Sequence, residues 1–346
     1  MINKILSYFS HDIGMDLGTA NVLIYVKGKG ILIREPSVVA IHKKTKEVLA
    51  VGSEAKRMLG KTPMNINAIR PLRHGVISDF SAAEKMILYF IRLVHSIPSK
   101  FPKIPKPRIV IGVPSGVTSV ERKAVIDAAR NAGAREVFLI EEPMAAAIGA
   151  ELPITEPRGT MIVDMGGGTC EIAIISLSGI VVNKSIRVAG DELDMDIVNY
   201  AKNKYNLLLG ERSAEEIKLA VGNVVEIEDE EKYKYVMRGR DLKSGLPRSI
   251  EISPAEVRDA LKNSIYMIIG SIKDAIEETP AELMSDIVRD GLVLAGGTSQ
   301  LRGLDRLMSQ ELKIPVRVAK DPVTCVVRGC GKVLDDEALL HKVKIS

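Results

Sequence analysis

The chain has 346 residues, 46% of them hydrophobic and 27% charged, which is enough for the cores of two ordinary domains. A net charge of +4, without a dense basic block interleaved with aromatic residues, disfavours nucleic acid as a partner. Cys170, Cys325 and Cys330 show no CxxC spacing, so we expect neither a disulfide framework nor a zinc site. The sequence contains no apolar run of about 18 residues and no signal-peptide core, so we expect a cytoplasmic protein.

The first ten residues have the pattern of a short amphipathic helix. Ile2, Ile5, Leu6 and Phe9 fall on one side of such a helix, and polar residues fall elsewhere. A helix this short is marginal in water and could fold on contact with lipid. The alternatives are a frayed terminus and a segment packed on the core.

The first hairpin, residues 12–26, is an apolar strand that ends in Asp16, a turn with Gly18 and Thr19, and a second apolar strand. Glycine lets the backbone approach a ligand closely, so that successive N–H groups can point at phosphate oxygens. A carboxylate at the strand end can hold a hydrated Mg²⁺. A single copy of this pattern is more often a plain tight turn than a phosphate site.

Predicted strands and helices alternate in the next part of the chain. Residues 97–104 form a proline-rich loop with apolar and basic side chains, and residues 107–114 predict a buried strand. Thr118 and Glu121 have the spacing of a capping box, which predicts a helix that runs to about Gly133. Residues 136–140 predict another strand, and a helix is expected from Glu142. This alternation favours an α/β architecture.

The second hairpin, residues 160–175, repeats the pattern of the first. An apolar strand ends in Asp164, a glycine-rich turn ending in Thr169 follows, and a second apolar strand begins. Two copies about half a chain apart favour a phosphate site over a plain tight turn. They favour two related domains that face each other across a ligand cleft.

The remaining part of the chain predicts mostly helices. Ser213 and Ser253 each stand three residues before a glutamate, which predicts two further helix starts. After Ser253, apolar residues recur at helical spacing and indicate one buried face: Val257, Leu261, Ile265, Ile268, Ile272 and Ile276. A strand from Gly291 leads into a glycine turn, and a helix is expected near Leu304.

Taken in this order, the segments resemble the superfamily of actin, sugar kinases and heat-shock chaperone ATPases. The two hairpins are similar to its two phosphate motifs, residues 142–147 and 321–331 to its connecting motifs, and residues 295–298 to its adenosine motif. Within that superfamily the chain resembles the MreB family of bacterial actin-like proteins over nearly its whole length. The stretches that carry this resemblance are residues 14–21, 35–39, 68–71, 75–79, 142–149, 186–191, 210–218 and 301–305.

The resemblance implies a role for each motif in binding ATP or ADP with Mg²⁺. The phosphates would contact Thr19, Ala20 and Asn21 from one domain, and Gly167, Gly168 and Thr169 from the other. The ribose and base would lie along Glu215, Glu216, Ile217 and Lys218, and the adenosine above Ala295, Gly296, Gly297 and Thr298. Asp16 and Asp164 would hold the waters of Mg²⁺, while Glu142 and Thr169 would be catalytic, with Glu142 orienting the attacking water.

Two of these assignments have plainer alternatives. Glu142, or its neighbour Glu141, could be an acidic residue favoured only by the dipole at a helix N-terminus. Glu216 could be the partner of Ser213 in a capping box. The chain also departs from the family pattern, which usually has a third glycine where Thr298 stands and small or apolar residues where Val327 and Arg328 stand.

The resemblance further implies an actin-like α/β fold of two related domains, divided into four subdomains around a nucleotide cleft. The predicted bounds are 1–35, 79–153 and 318–346 for subdomain IA, 36–78 for IB, 154–188 and 250–317 for IIA, and 189–249 for IIB.

The implied function is slow ATP hydrolysis coupled to filaments at the inner face of the cell membrane, which organise cell-wall synthesis and rod shape. Residues 1–9 and the loop 97–104, with Ile97 and Phe101, would contact the membrane, and membrane proteins of the cell-wall elongation machinery would be partners. A small-molecule kinase and a chaperone-type ATPase are the alternatives. The chain ends soon after the last motif, which disfavours a peptide-binding domain, and no acceptor pocket is evident for a kinase.

Overall fold

The computed structural model describes residues 10–97 and 104–345. The strands in this part of the chain are β1 (Ile13–Leu17), β2 (Asn21–Val26), β3 (Gly30–Pro36), β4 (Val39–His42), β5 (Val48–Val51), β6 (Ile66–Ile69), β7 (Leu72–Arg73), β8 (Val76–Ile77), β9 (Arg108–Val113), β10 (Glu136–Glu141), β11 (Thr160–Met165), β12 (Cys170–Ser176), β13 (Gly179–Ile186), β14 (Leu207–Leu208), β15 (Tyr235–Asp241), β16 (Pro247–Ile252), β17 (Leu292–Ala295) and β18 (Val316–Val318).

The helices of the same residues are α1 (Ser53–Met58), α2 (Phe80–Ser96), α3 (Ser119–Asn131), α4 (Glu142–Gly149), α5 (Gly190–Tyr205), α6 (Glu211–Val221), α7 (Pro254–Glu277), α8 (Ala281–Asp290), α9 (Leu304–Leu312), α10 (Cys325–Asp335) and α11 (Glu337–Val343). Short 3₁₀ turns occur at Glu230–Lys232, Gly297–Gln300 and Pro322–Thr324.

Two five-stranded sheets have the same topology, which explains the repeat in the sequence. The first has the order β10–β9–β1–β2–β3, and the second has the order β18–β17–β11–β12–β13. In each, three antiparallel strands form a meander that begins with the strand ending in aspartate. Two parallel strands then extend the sheet on the other side of that strand. We call the first sheet with its helices the first domain, and the second sheet with its helices the second domain.

Three smaller sheets lie among the described residues, outside the two large ones. Their orders are β5–β4–β6, β7–β8 and β14–β15–β16. The first two fall within the predicted subdomain IB, and the third begins within the predicted IIB and continues to Ile252. The bounds of the four subdomains remain predictions.

Helices α4 and α10 form two middle layers between the large sheets. Helix α10 packs on β1 and β9 of the first sheet, and α4 packs on β11 and β12 of the second. The backbones of the two helices touch, because a side chain at Gly149 would collide with the carbonyl of Cys325, and one at Gly329 with that of Ala145. One apolar cluster therefore includes residues of both sheets, such as Val110 and Ile162, together with these two helices.

Most of the predicted elements are confirmed at nearly their predicted bounds. Thr118 and Ser253 each accept a hydrogen bond from the backbone of a glutamate three residues later, which completes both capping boxes. The apolar face of α7 is buried in the core of the second domain. Helix α9 begins at Leu304 as expected.

The predicted helix start at Ser213 is wrong. Helix α6 begins at Glu211, with Gly210 as its N-cap, and Ser213 lies inside the first turn. Glu216 therefore makes no capping box and pairs instead with Arg212, one turn earlier, at 3.0 Å. Residues 1–9 and Phe101, predicted to contact a membrane, lie outside the described residues.

Candidate functional site

A cavity of about 290 Å³ lies between the two domains, where the two hairpins face each other. Its wall contains both strand-end aspartates, Asp16 and Asp164, so these two side chains share one space. Fourteen of the residues predicted as a site line it: Asp16, Thr19, Ala20, Asn21, Glu142, Asp164, Gly167, Gly168, Thr169, Glu215, Lys218, Gly296, Gly297 and Thr298.

Three predicted residues do not line this cavity. Ile217 is fully buried in the core of the second domain, and Ala295 is fully buried at the end of β17. Glu216 lies instead in the wall of a neighbouring pocket of about 250 Å³, between α1 and α6. Its pairing with Arg212 across one helical turn accounts for its position.

The first hairpin is held by contacts inside its own domain. The side chain of Thr19 accepts a hydrogen bond from the Gly75 N–H at 2.9 Å. The Ser37 hydroxyl donates to the Gly18 carbonyl, and the Ser37 N–H donates to the Ala20 carbonyl at 3.0 Å. These bonds fix the turn, whose residues Gly18, Thr19, Ala20 and Asn21 line the cavity.

The second hairpin is held by segments that come from outside it. The N–H groups of Gly190 and Asp191, at the start of α5, donate to the carbonyls of Gly166 and Gly167 at 3.2 and 2.7 Å. The Thr298 hydroxyl donates to the Gly166 carbonyl at 2.8 Å. These bonds use the carbonyls of the turn, and its residues Gly166, Gly167, Gly168 and Thr169 line the cavity.

The turns of the two hairpins approach each other closely. A Cβ atom on Gly168 would lie 2.5 Å from Thr19 Oγ1 and 2.9 Å from the backbone nitrogen of His74. A Cβ on Gly167 would lie 2.8 Å from that of Ala20. Glycine is required here because the backbone of the second domain lies against the first.

Four carboxyl groups lie in or beside the wall of the cavity, and burial is the largest cause of the raised pKa of each. Burial raises the pKa of Asp16 to about 7. Burial, and then the charges of Asp16 and Glu171, raise the pKa of Asp164 well above its usual value. Burial, and then Glu171, Asp16 and Asp164, do the same for Glu142. Buried carboxyl groups with raised pKa values are typical of functional sites. A cation bound beside them would stabilise their ionised forms.

Glu171 is a residue of this group that the sequence analysis missed. It lies on β12, is fully buried, and its carboxylate is hydrogen-bonded on both oxygens. Its sequence signal was an acidic residue inside an apolar strand, directly after the glycine turn, since an acid is almost never fully buried unless it is paired.

Helix α6 contributes charged side chains at the mouth of the cavity. Glu215 forms an ion pair with Lys56 of α1 at 2.9 Å, which joins the two sides of the cleft. Lys218 donates to the Gly190 carbonyl at 2.6 Å and pairs with Asp194 at 2.8 Å. Lys218 therefore supports the N-terminus of α5, which in turn holds the second hairpin.

The chain matches one protein family over nearly its whole length. The model of the MreB/Mbl protein family matches residues 10–342. The cell shape-determining protein Mbl of Bacillus subtilis is 50% identical over 98% of this chain and 100% of its own length. The cell shape-determining protein MreB of Escherichia coli is 50% identical over 97% of this chain and 96% of its own. The chain belongs to the MreB/Mbl family.

Solved structures agree with this MreB/Mbl assignment and with the actin-like fold. MreB5 of Spiroplasma citri, bound to ADP, superposes with a TM-score of 0.89 at 36% identity, covering 96% of this chain and 98% of that one. The same protein bound to AMPPNP gives a TM-score of 0.88 at 37% identity, covering 96% and 98%. A MamK double helical filament, 22% identical, shares the fold with a TM-score of 0.79, covering 94% and 99%.

The structure accounts for the two departures from the MreB/Mbl sequence pattern. Thr298, in place of a third glycine, uses its hydroxyl to hold the Gly166 carbonyl of the second hairpin. Arg328 donates to the Lys320 carbonyl at 2.8 Å and does not line the cavity. Both substitutions are thus accommodated by contacts of their own.

Two general features bear on possible ligands of this MreB/Mbl chain. In the described part, no three His, Cys, Asp or Glu side chains are grouped so that they could hold a metal ion by themselves. None of the helices between residues 10 and 97 or between 104 and 345 has the length and apolar character that crossing a membrane requires.

Proposed function

We propose that this protein binds ATP with Mg²⁺ in the cavity, hydrolyses it slowly and forms filaments at the inner face of the cell membrane that organise cell-wall synthesis. One observation carries the nucleotide part. Glycine turns from two domains of the same topology border one cavity and bring Asp16 and Asp164 into it. The relative from S. citri, bound to ADP and to AMPPNP, supports adenine nucleotide as the ligand.

The phosphates would lie between the two turns. Residues 19–21 and 167–169 line the cavity from the two domains, and successive backbone N–H groups in turns of this kind can form a concave anion site. The adenosine would lie toward the turn at Gly296 and the face of α6 that carries Lys218. Gly296 has a φ of +79°, and a side chain there would meet the Met165 carbonyl, so this turn is shaped by glycine.

The residues present fit a magnesium ion. Oδ1 of Asp164 is buried and has no hydrogen-bond partner among the described residues. Together with Asp16 it supplies two carboxylates, and Mg²⁺ in nucleotide sites commonly takes one or two carboxylates plus phosphate oxygens and waters. When bound, the ion would neutralise charge on the phosphates during their transfer.

Glu142 would orient the attacking water, as a slow hydrolase requires. It is the first residue of α4, is buried and lines the cavity, whereas Glu141 does not line it. Burial and then the neighbouring carboxylates raise the pKa of Glu142, which makes it a stronger base toward a bound water. Thr169 lies on the facing turn and would hold the terminal phosphate.

Sedimentation and phosphate release test the proposal together. Mg-ATP should produce a pelleting polymer and slow release of phosphate, and EDTA should abolish both. Soluble protein that releases ADP only when a small acceptor is added would instead establish a kinase. Absence of any binding of a fluorescent ADP analogue would refute the nucleotide site itself.

The membrane part of the proposal rests on family membership and on the sequence of residues 1–9 and 97–104. The curated relatives are cell shape-determining proteins. At the edge of the second segment, Ile104 is exposed, in a position where an apolar side chain is available to lipid. Elongation-machinery membrane proteins are the proposed partners at that surface.

Liposome pelleting tests this part. The full chain should pellet with anionic vesicles, and a variant that lacks residues 1–9 and carries Phe101→Ser should remain soluble. Undiminished pelleting of that variant would refute the two segments as the membrane contact.

A further inference from the structure

Glu171 joins the two domains directly beneath the cavity. Its Oε1 accepts a hydrogen bond from the Ser185 hydroxyl of β13 at 2.7 Å. Its Oε2 accepts from the Ser115 N–H at 3.2 Å. Ser185 belongs to the second domain, but Ser115 follows β9 of the first. One buried carboxylate therefore binds a donor from each domain.

The same carboxylate is linked to the residues proposed for hydrolysis. Thr169, on the turn that lines the cavity, lies two residues before Glu171 in the chain, and Asp164 is the register partner of Glu171 across β11 and β12. After burial, the charge of Glu171 is the largest cause of the raised pKa of Glu142. Glu171 thus lies beside residues of the proposed site without lining the cavity itself.

The loop that carries Ser115 fits closely against the second domain. A Cβ on Gly116 would lie 3.3 Å from Cβ of Ser185, and a Cβ on Gly75 would lie 2.5 Å from Pro114 and 3.1 Å from Thr169. The Ser115 amide can reach Glu171 only when these surfaces are together. A small opening of the cleft would remove the amide from a buried charge that has few other donors.

We propose that Glu171 is a positioning residue that makes hydrolysis depend on domain closure. In the closed cleft, the Ser115 amide holds Glu171 and so fixes the start of β12, directly after Thr169, relative to Glu142. In an open cleft this bond is lost, so nucleotide can bind but the attacking water is not aligned. The inference rests on the proposed ATPase function and specifies how its catalytic groups are brought together.

Two variants separate this role from a merely structural one. Glu171→Ala removes both acceptors, whereas Glu171→Gln retains an oxygen that can accept from Ser115. Glu278→Ala is the matched control, because Glu278 also binds a side chain of β13, Lys184 at 2.7 Å, but lies outside the cavity wall.

Three measurements are made on each full-length variant: affinity for a fluorescent ADP analogue, single-turnover phosphate release, and hydrogen exchange at the Ser115 amide. For Glu171→Ala we expect affinity within about threefold of wild type and release slowed about 10- to 100-fold, the range of a lost transition-state interaction. The Ser115 amide should exchange faster in the nucleotide-bound state. Glu171→Gln should recover most of the rate and the protection, and Glu278→Ala should match wild type.

A Glu171→Ala protein that releases phosphate at the wild-type rate would overturn the inference, as would unchanged protection of the Ser115 amide. If Glu171→Ala fails to fold, Glu171→Gln is the deciding variant. Slowed phosphate release with a Ser115 amide that is still protected would show that the charge of Glu171 matters and its hydrogen bond to Ser115 does not, which would refute the inference. If the wild type itself neither binds nor hydrolyses ATP, the proposed function fails, which the same assays show separately.

Discussion

The first and second hairpins present the same Asp–Gly–Thr pattern to the cavity but differ in their surroundings. In the first, Asp16 is only partly buried, and the turn is held by Ser37 and Gly75 of its own domain. In the second, Asp164 is buried, and the turn is held by the start of α5 and by Thr298. The second hairpin also carries Glu171, which reaches the first domain.

This difference indicates that the two domains contribute to the cavity in different ways. The first hairpin is held by residues near it in the first half of the chain, so it would be the fixed half of the proposed phosphate site. The second hairpin is tied to the turn at Gly296 and, through Glu171, to the opposite domain. Nucleotide binding and cleft closure should therefore act mainly on the second hairpin.

The largest expected effect comes from Glu142, which lies between the two hairpins. Because Glu142 would orient the water but not hold the nucleotide, Glu142→Ala should retain ADP affinity and slow phosphate release about 100-fold or more. Single-turnover release measures this. Glu141→Ala is the control, since its neighbouring carboxyl does not line the cavity, and equal rates for the two variants would contradict the assignment.

The next effect concerns the contact between the two turns. In Gly168→Ala, the new methyl group must displace Thr19 or the backbone of His74. Such overpacking costs roughly 1–3 kcal/mol, so nucleotide affinity should fall about 5- to 150-fold. Titration with the fluorescent ADP analogue measures the fall. Gly210→Ala, where a Cβ meets no atom within 4 Å, should bind normally.

A smaller effect follows from the pKa of Asp16, about 7 against its usual 3.8. Between these values the folded protein holds a proton that the unfolded chain releases, so stability without Mg²⁺ should fall as pH rises from about 4 to about 7. Magnesium requires the ionised carboxylate, so Mg·ADP affinity should fall as pH drops below 7, by up to about tenfold per unit.

Calorimetry between about pH 4 and pH 8 checks the stability, and Mg·ADP titration between about pH 6 and pH 8 checks the affinity. Asp16→Asn should weaken binding at pH 8 and flatten the pH profile. A profile as steep as that of wild type would assign the titration to Asp164 or Glu142 instead.

The smallest expected effect is on the free energy of unfolding, and it is tested at the capping box of each domain. Thr118→Ala in the first domain and Ser253→Ala in the second should each lower the free energy of unfolding by about 1 kcal/mol, in the usual range of 0.5–2. Urea unfolding measures the loss. Ser213→Ala, inside the first turn of α6, should change it little, and a loss equal to that of Ser253→Ala would contradict the observed helix start.

Sequence reasoning captured the fold because its strongest signals were local and repeated. The two hairpins, the capping boxes at Thr118 and Ser253, and the apolar face of α7 each depend on residues close in the chain. The position of Asp16 and Asp164 in one cavity wall was also predictable, because two copies of the motif imply two domains that face each other.

The features that the sequence did not predict depend on contacts between residues that are far apart in the chain. The role of Glu171 is visible only once Ser115 of the other domain lies against it. Glu216 and Ile217 were assigned with their neighbours as one stretch, but a helix turns successive side chains about 100° apart, so Glu215 and Lys218 face the cavity while Ile217 faces the core.

The crossing of α4 and α10 has a mechanical consequence. Each helix follows one sheet, and they meet backbone to backbone at Gly149 and Gly329. At these two positions the distance between the helices is set by backbone contact, while the side chains around them belong to one apolar cluster. A methyl group at either glycine would push the helices apart and so change the separation of the two sheets, although every residue that lines the cavity would be unchanged.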